Sequence, residues 1–373
     1  MQIAVLGAGM VGRTIALDLA KQFTVTSFDV SKESLQLLIQ KDSSVKTVVA
    51  DLRDFNNYPA LLNDFDIVVS AVPGFMGYQT LETIIQCKKN VVDISFFAEN
   101  ALQLDALAKA NGVTAITDCG VAPGISNLLL GYYNEKMKVE SFECLVGGLP
   151  KQRILPFEYK APFSPIDVLE EYTRPARYVE NGHIVTKPAL SDAEMIDFEK
   201  PGTLESFNTD GLRSLLFTMA HIPDMKEKTL RYPGHINLMQ ALLKAGFFDE
   251  APVIFNGQPV SPRAFSSALL FNQWKLGATE KEFTLMRVKI ASKEETICYD
   301  LYDEYDADTQ THSMSRTTGY ACTAAVNLLI HKLFTEQGVF PPELVGKYEN
   351  CFLFIMNYLR ERNVHYTKTV LPK

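Results

Sequence analysis

The sequence predicts an α/β protein: a helix-covered parallel sheet over the first 120 residues, then an α+β region built on a mixed sheet. Three observations carry this. Short apolar runs alternate with helical patterns up to "VTAIT" at 113–117. A glycine-rich turn follows the first of those runs. Beyond Ser141 the strand-like stretches lengthen and few helical patterns separate them.

The first element is the run Ile3 to Leu6, a short apolar strand. Gly7, Gly9 and Gly12 follow as G-x-G-x-x-G, with Met10 and Val11 between them. Ile15, Ala16, Leu19 and Ala20 then recur at helical spacing. Gly7 permits the turn, Gly9 lets the backbone approach a pyrophosphate, and Gly12 lets the helix pack on the strand. The helix N-terminus presents free N–H groups to phosphates. "FTVTSFDV" is the second strand and ends in Asp29, 20 residues after Gly9. A carboxylate there accepts hydrogen bonds from both ribose hydroxyls and opposes a 2′-phosphate. The expected cofactor is therefore NAD, although Lys32 and Arg53 offer charge to a phosphate.

"VKTVVADL" is a third strand, with Asp51 at its end beside the expected adenine. "DIVVSAVPG" is a fourth, "NVVDIS" a fifth and "VTAIT" a sixth. "YQTLETIIQCKK" and "NALQLDALAKAN" are helices between them. Ligands of such sheets bind outside the strands' carboxyl ends. Ala71, Val72 and Pro73 are thus expected to line the dinucleotide, and Ser95 and Asp118 to face the nicotinamide side. "TDCGVAPG" closes the sixth strand at the mouth of that cleft, where backbone and cofactor come close.

From Ser141, "SFECLVGG", "EFTLMRVKIAS" and "ETICYDLYDEYD" read as strands of a mixed or antiparallel sheet. The stretch from Thr317, "TTGYACTAAVNLLIHKLF", reads as a small-residue-rich apolar helix returning to the first domain. The expected organisation is a Rossmann dinucleotide-binding domain, residues 1–120 plus about 315–373, with an α+β mixed-sheet substrate and dimerisation domain, 121–314, inserted.

Polar chemistry gathers in three stretches of the second region. "EEYTRPARY" holds Tyr172, Arg174 and Arg177; "NTDGLRS" holds Asp210 and Arg213; "LRYPGHINL" holds Arg231 and His235. The planar fork of an arginine suits a carboxylate. Arg174 and Arg213 are candidate anchors of a substrate carboxylate, with Ser95 and Tyr172 as further substrate contacts. Asp118 and His235 are the candidates for proton transfer. Lys160 is an alternative base if burial lowers its pKa.

Composition excludes several classes. The chain has 373 residues, 47% hydrophobic and 21% charged, with net charge -8. That length accommodates two domains. No basic cluster points to nucleic acid, and no apolar run of membrane-spanning length occurs. The start carries no signal-peptide pattern. The six cysteines are widely spaced with no C-x-x-C pair, which argues against zinc and against a disulfide framework. A cytoplasmic protein with no metal and reduced thiols is the expectation.

The stretches GAGMVG, "AVPGF", "VVDISF", "GVAPGISNLL", "VGGLP", "SPIDVLEEYTRPAR", "DGLRSLL", "LRYPGH" and "MSRTTGY" resemble, in order, the saccharopine dehydrogenase family, and within it the lysine 6-dehydrogenases. The resemblance implies a Rossmann domain completed by C-terminal helices, a central α+β domain and a homodimer. It also implies an oxidative deamination, in which L-lysine, NAD+ and water give the 6-semialdehyde, ammonia and NADH. The semialdehyde would then cyclise to a piperideine carboxylate. Saccharopine reductases carry an Asp directly before the Pro-Gly, where this chain has Ala122. That difference favours lysine over saccharopine and leaves Asp118 as the nearby acid. The alternatives are a reductase of the saccharopine or carboxynorspermidine type and a non-catalytic dinucleotide sensor.

Overall fold

A strand covered on both faces must be apolar throughout, and Ile3, Ala4, Val5 and Leu6 are all fully buried. The computed structural model describes residues 1–373. The first strands are β1 (Gln2–Leu6), β2 (Thr24–Asp29), β3 (Lys46–Val49), β4 (Ile67–Ser70), β5 (Asn90–Asp93) and β6 (Thr114–Ile116). There follow β7 (Ser141–Pro150), β8 (Ala176–Glu180), β9 (His183–Lys187), β10 (Glu194–Phe198), β11 (Gly202–Asn208) and β12 (Asp224–Arg231). The last are the hairpin β13 (Val253–Phe255) and β14 (Gln258–Val260), then β15 (Glu282–Ala291), β16 (Glu295–Glu304), β17 (Gly338–Phe340) and β18 (Tyr366–Pro372).

The first sheet runs β17-β6-β5-β4-β1-β2-β3 and is parallel throughout. Its order reverses between β1 and β4, which opens a crevice at the carboxyl ends of the strands. The second sheet runs β10-β11-β12-β7-β15-β16-β18, with β8 and β9 branching from β12. Its β12–β7 pair is parallel and the other pairs antiparallel, so the sheet is mixed. One apolar core joins the two units: it runs from Ile3 and Val5 through Leu128 and Ala324 to Met286 and Val288.

Two segments sit elsewhere than the sequence suggests. The last residues, expected with the dinucleotide unit in 315–373, form β18 and pair with β16 of the mixed sheet. That pairing satisfies backbone groups that β16 would otherwise leave open as an edge. The helix Ile125–Asn134, expected in the inserted unit 121–314, packs against the C-terminal helices Pro342–Gly346 and Glu349–Glu361. Glycines make that crossing close: a Cβ on Gly131 would lie 2.1 Å from the Glu343 carbonyl oxygen, and one on Gly346 2.3 Å from that of Leu128. Strand β17 was also unforeseen, because its three residues between Gln337 and Pro341 are too few to show a period.

A buried carboxylate fastens the C-terminal helices to the first domain. Asp18, on the helix Met10–Ala20, accepts hydrogen bonds from Thr323 (2.7 Å), Tyr358 (2.8 Å) and Arg362 Nε (2.8 Å). The Arg362 guanidinium also lies 3.4 Å from the Tyr358 ring centroid. The long return helix Ser313–Ile330 is thereby held against the glycine-turn helix, and Met314 and Thr318 on it reach the crevice.

Candidate active site

The crevice continues into the mixed-sheet unit as one cavity of about 750 Å³. Its outer half lies at the carboxyl ends of the first sheet, where a dinucleotide is expected. All ten residues expected there line it: Gly7, Gly9, Met10, Val11, Gly12, Asp29, Asp51, Ala71, Val72 and Pro73. Adding a Cβ to Gly12 would bring it 2.1 Å from the Gly7 carbonyl oxygen, whereas a Cβ on Gly9 would meet nothing within 4 Å. The first glycine packs helix on strand; the second leaves open room at a helix N-terminus that no side chain caps. Those free amides and that room fit the pyrophosphate of a dinucleotide. The Asp29 carboxylate accepts from the Ala8 amide (2.6 Å) and the Ser31 amide (2.8 Å), which fix it at the end of β2. Arg53 forks onto Asp51 at 2.9 and 2.7 Å.

The inner half lies between the end of β6, the helix Pro165–Thr173, and strands β7 and β12. Six carboxyl side chains line it: Asp118, Asp167, Glu170, Glu171, Asp210 and Glu227. Only two arginines, Arg174 and Arg231, line the same space. Strand alternation explains part of this: Glu227, Thr229 and Arg231 occupy every second position of β12 and share one face. Arg174 is held by Glu170 at 3.4 Å and over the Phe96 ring, and its Nη1 is buried without a partner. Asp167 accepts from the Gly74 amide at 3.3 Å, across the two units, and burial pushes its carboxyl up to about 6.

Asp118 lines the cavity, but its side chain is committed. Arg213 Nε donates to it at 2.8 Å. Burial pushes the Asp118 carboxyl up, and the Arg213 charge opposes that rise. Arg213 also donates to the Phe97 carbonyl and lies over the Phe96 and Phe97 rings at 5.0 and 4.9 Å. It does not line the cavity. Both partners hold left-handed backbone, φ 55 at Asp118 and φ 47 at Arg213, a conformation non-glycine residues enter only when the surroundings impose it. Arg213 is thus a strap between the sheets, where a free carboxylate anchor was expected.

Ser95, Tyr172 and His235 do not line the cavity either. Ser95 donates to Asp93 at 2.9 Å behind the strand end, while its neighbours Ile94 and Phe96 face the cavity; the extended backbone turns alternate side chains to opposite sides. Tyr172 falls on the far face of the helix that presents Asp167, Glu170 and Glu171. Its hydroxyl accepts from Arg231 Nε at 2.9 Å, so its own proton points to His235 Nε2, also at 2.9 Å. His235 then carries its proton on Nδ1 and donates to the Phe157 carbonyl at 2.8 Å. Burial, with the Arg231 charge, pushes this imidazole down to about 3. A neutral ring so placed holds Tyr172 and Arg231 in position; it has no access to a proton in the cavity. Lys160 donates to the Gln273 carbonyl at 2.9 Å, outside the cavity lining. Arg177 forks onto Asp210 at 2.9 and 2.8 Å.

A glycine-turn parallel sheet opening onto a polar cavity of a second, mixed sheet defines a dinucleotide-dependent oxidoreductase. The chain belongs to the saccharopine dehydrogenase family. Residues 3–116 match the saccharopine dehydrogenase NADP binding domain and residues 120–364 the saccharopine dehydrogenase C-terminal domain. Among curated proteins it is 27% identical over 337 residues to the alpha-aminoadipic semialdehyde synthase of Arabidopsis thaliana, a match covering 79% of this chain and 32% of that protein. It is also 27% identical over 282 residues to saccharopine dehydrogenase [NADP(+), L-glutamate-forming] of Saccharomyces cerevisiae, covering 72% of this chain and 62% of the yeast protein. The solved apo structure of the L-Glu-forming saccharopine dehydrogenase from Saccharomyces cerevisiae shares the fold, with TM-score 0.77, 19% identity and 99% of each chain covered. The chain spans about a third of the length of the Arabidopsis relative. No helix is long and apolar enough to cross a membrane.

Proposed function

We propose that this protein oxidises the 6-amino group of L-lysine with NAD+ and releases ammonia, leaving the 6-semialdehyde. One observation carries the choice of substrate. Of the arginines around the inner cavity, Arg213 is committed to Asp118, Arg231 to Glu171 and Arg177 to Asp210, and only Arg174 keeps a fully buried nitrogen without a partner. One free guanidinium nitrogen suits an amino acid with a single carboxylate. Saccharopine brings three carboxylates into a space already lined by six carboxyl side chains, and like charges in a desolvated cleft repel strongly.

Bound NAD+ supplies the hydride acceptor. Gly9 and the amides of the helix behind it hold the pyrophosphate, and Asp29 takes the ribose hydroxyls. Arg174 fixes the substrate carboxylate, which sets the distance from that anchor to the reacting carbon. The ammonium must lose a proton before its carbon releases hydride, because a cationic nitrogen has no lone pair to stabilise the iminium product. Water adds to that iminium, and ammonia departs from the carbinolamine. Ala122 lines the cavity beside Asp118 with no more than a methyl group, which leaves room for the water.

Mixing the protein with NAD+ and L-lysine is expected to produce NADH and ammonia in equal amounts. Saccharopine turnover without ammonia would instead select the reductase reading. Cofactor choice has its own test. Asp29→Ala is expected to narrow the preference for NAD+ over NADP+ by about tenfold or more, since it removes both the ribose acceptor and the charge that opposes a 2′-phosphate. Wild-type protein that already prefers NADP+ would show that Asp29 does not face the ribose.

A further inference from the structure

We propose that the inner end of the cavity is an ammonium subsite whose acceptor is Glu227, and that a cationic amine enters it in exchange for the proton of that carboxyl group. The inference rests on the amine-oxidising reading above, and it names the group that handles the amine.

Glu227 sits on β12 between the two walls of the cavity and is only 4% exposed. Its Oε2 is buried with no hydrogen-bond partner in the protein, while the side chain lines the cavity. The other oxygen is walled in: a Cβ on Gly211 would lie 1.8 Å from Oε1, so the 209–213 loop passes with room for a hydrogen only. A buried carboxyl with an unpartnered oxygen is costly unless something satisfies it, and an open cavity admits a ligand that does.

Charge balance identifies the ligand's sign. Four carboxyl groups meet here from four elements: Asp118 after β6, Glu171 on the helix Pro165–Thr173, Asp210 after β11 and Glu227 on β12. Arg213 serves Asp118, Arg231 serves Glu171 and Arg177 serves Asp210. Of these four, only Glu227 has no cation. Without ligand the deficit is met by a proton: burial, reinforced by Glu171, Asp210 and Asp118 and opposed by Arg213, pushes the Glu227 carboxyl up to about 8. The buried Cys144 thiol on β7, held neutral by burial, adds no charge. One substrate ammonium makes up the missing positive charge and donates to Oε2.

Below pH 8 the carboxyl O–H breaks on binding, one proton goes to solvent, and a carboxylate–ammonium pair remains. For the oxidation, an ammonium N–H then breaks and the Glu227 O–H re-forms. The neutral amine's carbon passes hydride, with both electrons, to the nicotinamide, and the substrate becomes the iminium.

The test uses the full chain saturated with NADH, so that no oxidation occurs. L-lysine, L-norleucine and 1,5-diaminopentane are titrated calorimetrically in buffers of different ionisation enthalpy. Wild-type protein at pH 7 is expected to bind lysine at least about tenfold more tightly than norleucine, the same carbon chain without the 6-amino group, with release of about one proton. That release is expected to vanish at pH 9.5, where the carboxyl is already ionised. Glu227→Gln is expected to abolish the release and most of the preference for lysine while leaving norleucine and NADH affinity unchanged. Glu227→Asp, which keeps the charge, is expected to retain part of the release, and either variant's NADH affinity reports on folding. Lysine preference and proton release that persist in Glu227→Gln overturn the subsite but leave lysine oxidation standing. Diaminopentane binding that releases a Glu227-dependent proton, without lysine binding, supports the subsite and overturns the amino-acid reading. No Glu227-dependent binding of either amine overturns the subsite.

Discussion

Arg174→Met is expected to lower kcat/KM for L-lysine by about 30-fold to a few thousand-fold while leaving NAD+ affinity unchanged. The range corresponds to about 2–5 kcal/mol, the cost of truncating one partner of a buried, hydrogen-bonded charge pair. Arg174 is a good candidate for that size of effect because it is pre-positioned. Glu170 holds one edge of its guanidinium, the Phe96 ring lies beneath it, and Nη1 is left unpartnered. A side chain held in this way loses little entropy when a carboxylate arrives. Methionine keeps much of the packing and removes only the charge and the fork. Steady-state kinetics with lysine, beside a direct NAD+ titration, checks the outcome. An unchanged kcat/KM in a folded variant would mean that the substrate carboxylate rests on another group, and would remove the observation on which the choice of lysine over saccharopine stands.

Arg213→Met is expected to destabilise the protein by about 3–5 kcal/mol, the typical cost of stranding one charge of a buried pair. Both partners are buried, with side chains 6% and 3% exposed. Asp118 would be left among Phe97, Cys119 and the cavity wall with no cation, and the left-handed backbone at both positions would lose what holds it. The double variant Arg213→Met with Asp118→Asn removes the stranded charge, so it is expected to recover a large part of the loss. Denaturant unfolding of the two single variants and the double variant measures that coupling. Equal stability of Arg213→Met and wild type would show that the ion pair does not hold the two sheets together. The same variants bear on catalysis: if Asp118 is structural, Asp118→Asn keeps most of its lysine turnover once stability is allowed for, whereas a proton-transfer role predicts its loss.

The dinucleotide half of the site was legible because its signals are local. Gly7, Gly9, Gly12 and Asp29 stand at short, fixed spacings set by one strand–turn–helix–strand unit. The backbone of that unit is what a dinucleotide would meet, so each spacing carries its own physical reason. Ala71, Val72 and Pro73 followed from the rule that ligands lie beyond the strands' carboxyl ends. The inner half was legible only as composition. Its polar stretches were visible, but which side chain faces inward depends on phase. Ser95 lies one residue out of step with Ile94 and Phe96, and Tyr172 lies on the wrong face of a helix whose other side presents Asp167, Glu170 and Glu171. Glu227 had a faint signal in the alternation of Glu227, Thr229 and Arg231, which reads equally well as a solvated strand face.

By itself, the sequence determined the class of the fold, the strand ends that form the glycine-turn crevice and the presence of polar, arginine-bearing stretches in the second region, because periodicity and turn chemistry act over a few residues. Tertiary structure alone decided the pairing of charges. Asp118 and Arg213 are 95 residues apart in the chain, Arg231 and Glu171 60, and Arg177 and Asp210 33. Nothing local marks one arginine as spent and another as free. Burial makes that distinction, since in a desolvated cleft each polar group must find a partner, and the buried atoms left without one, Arg174 Nη1 and Glu227 Oε2, are where a substrate has something to supply.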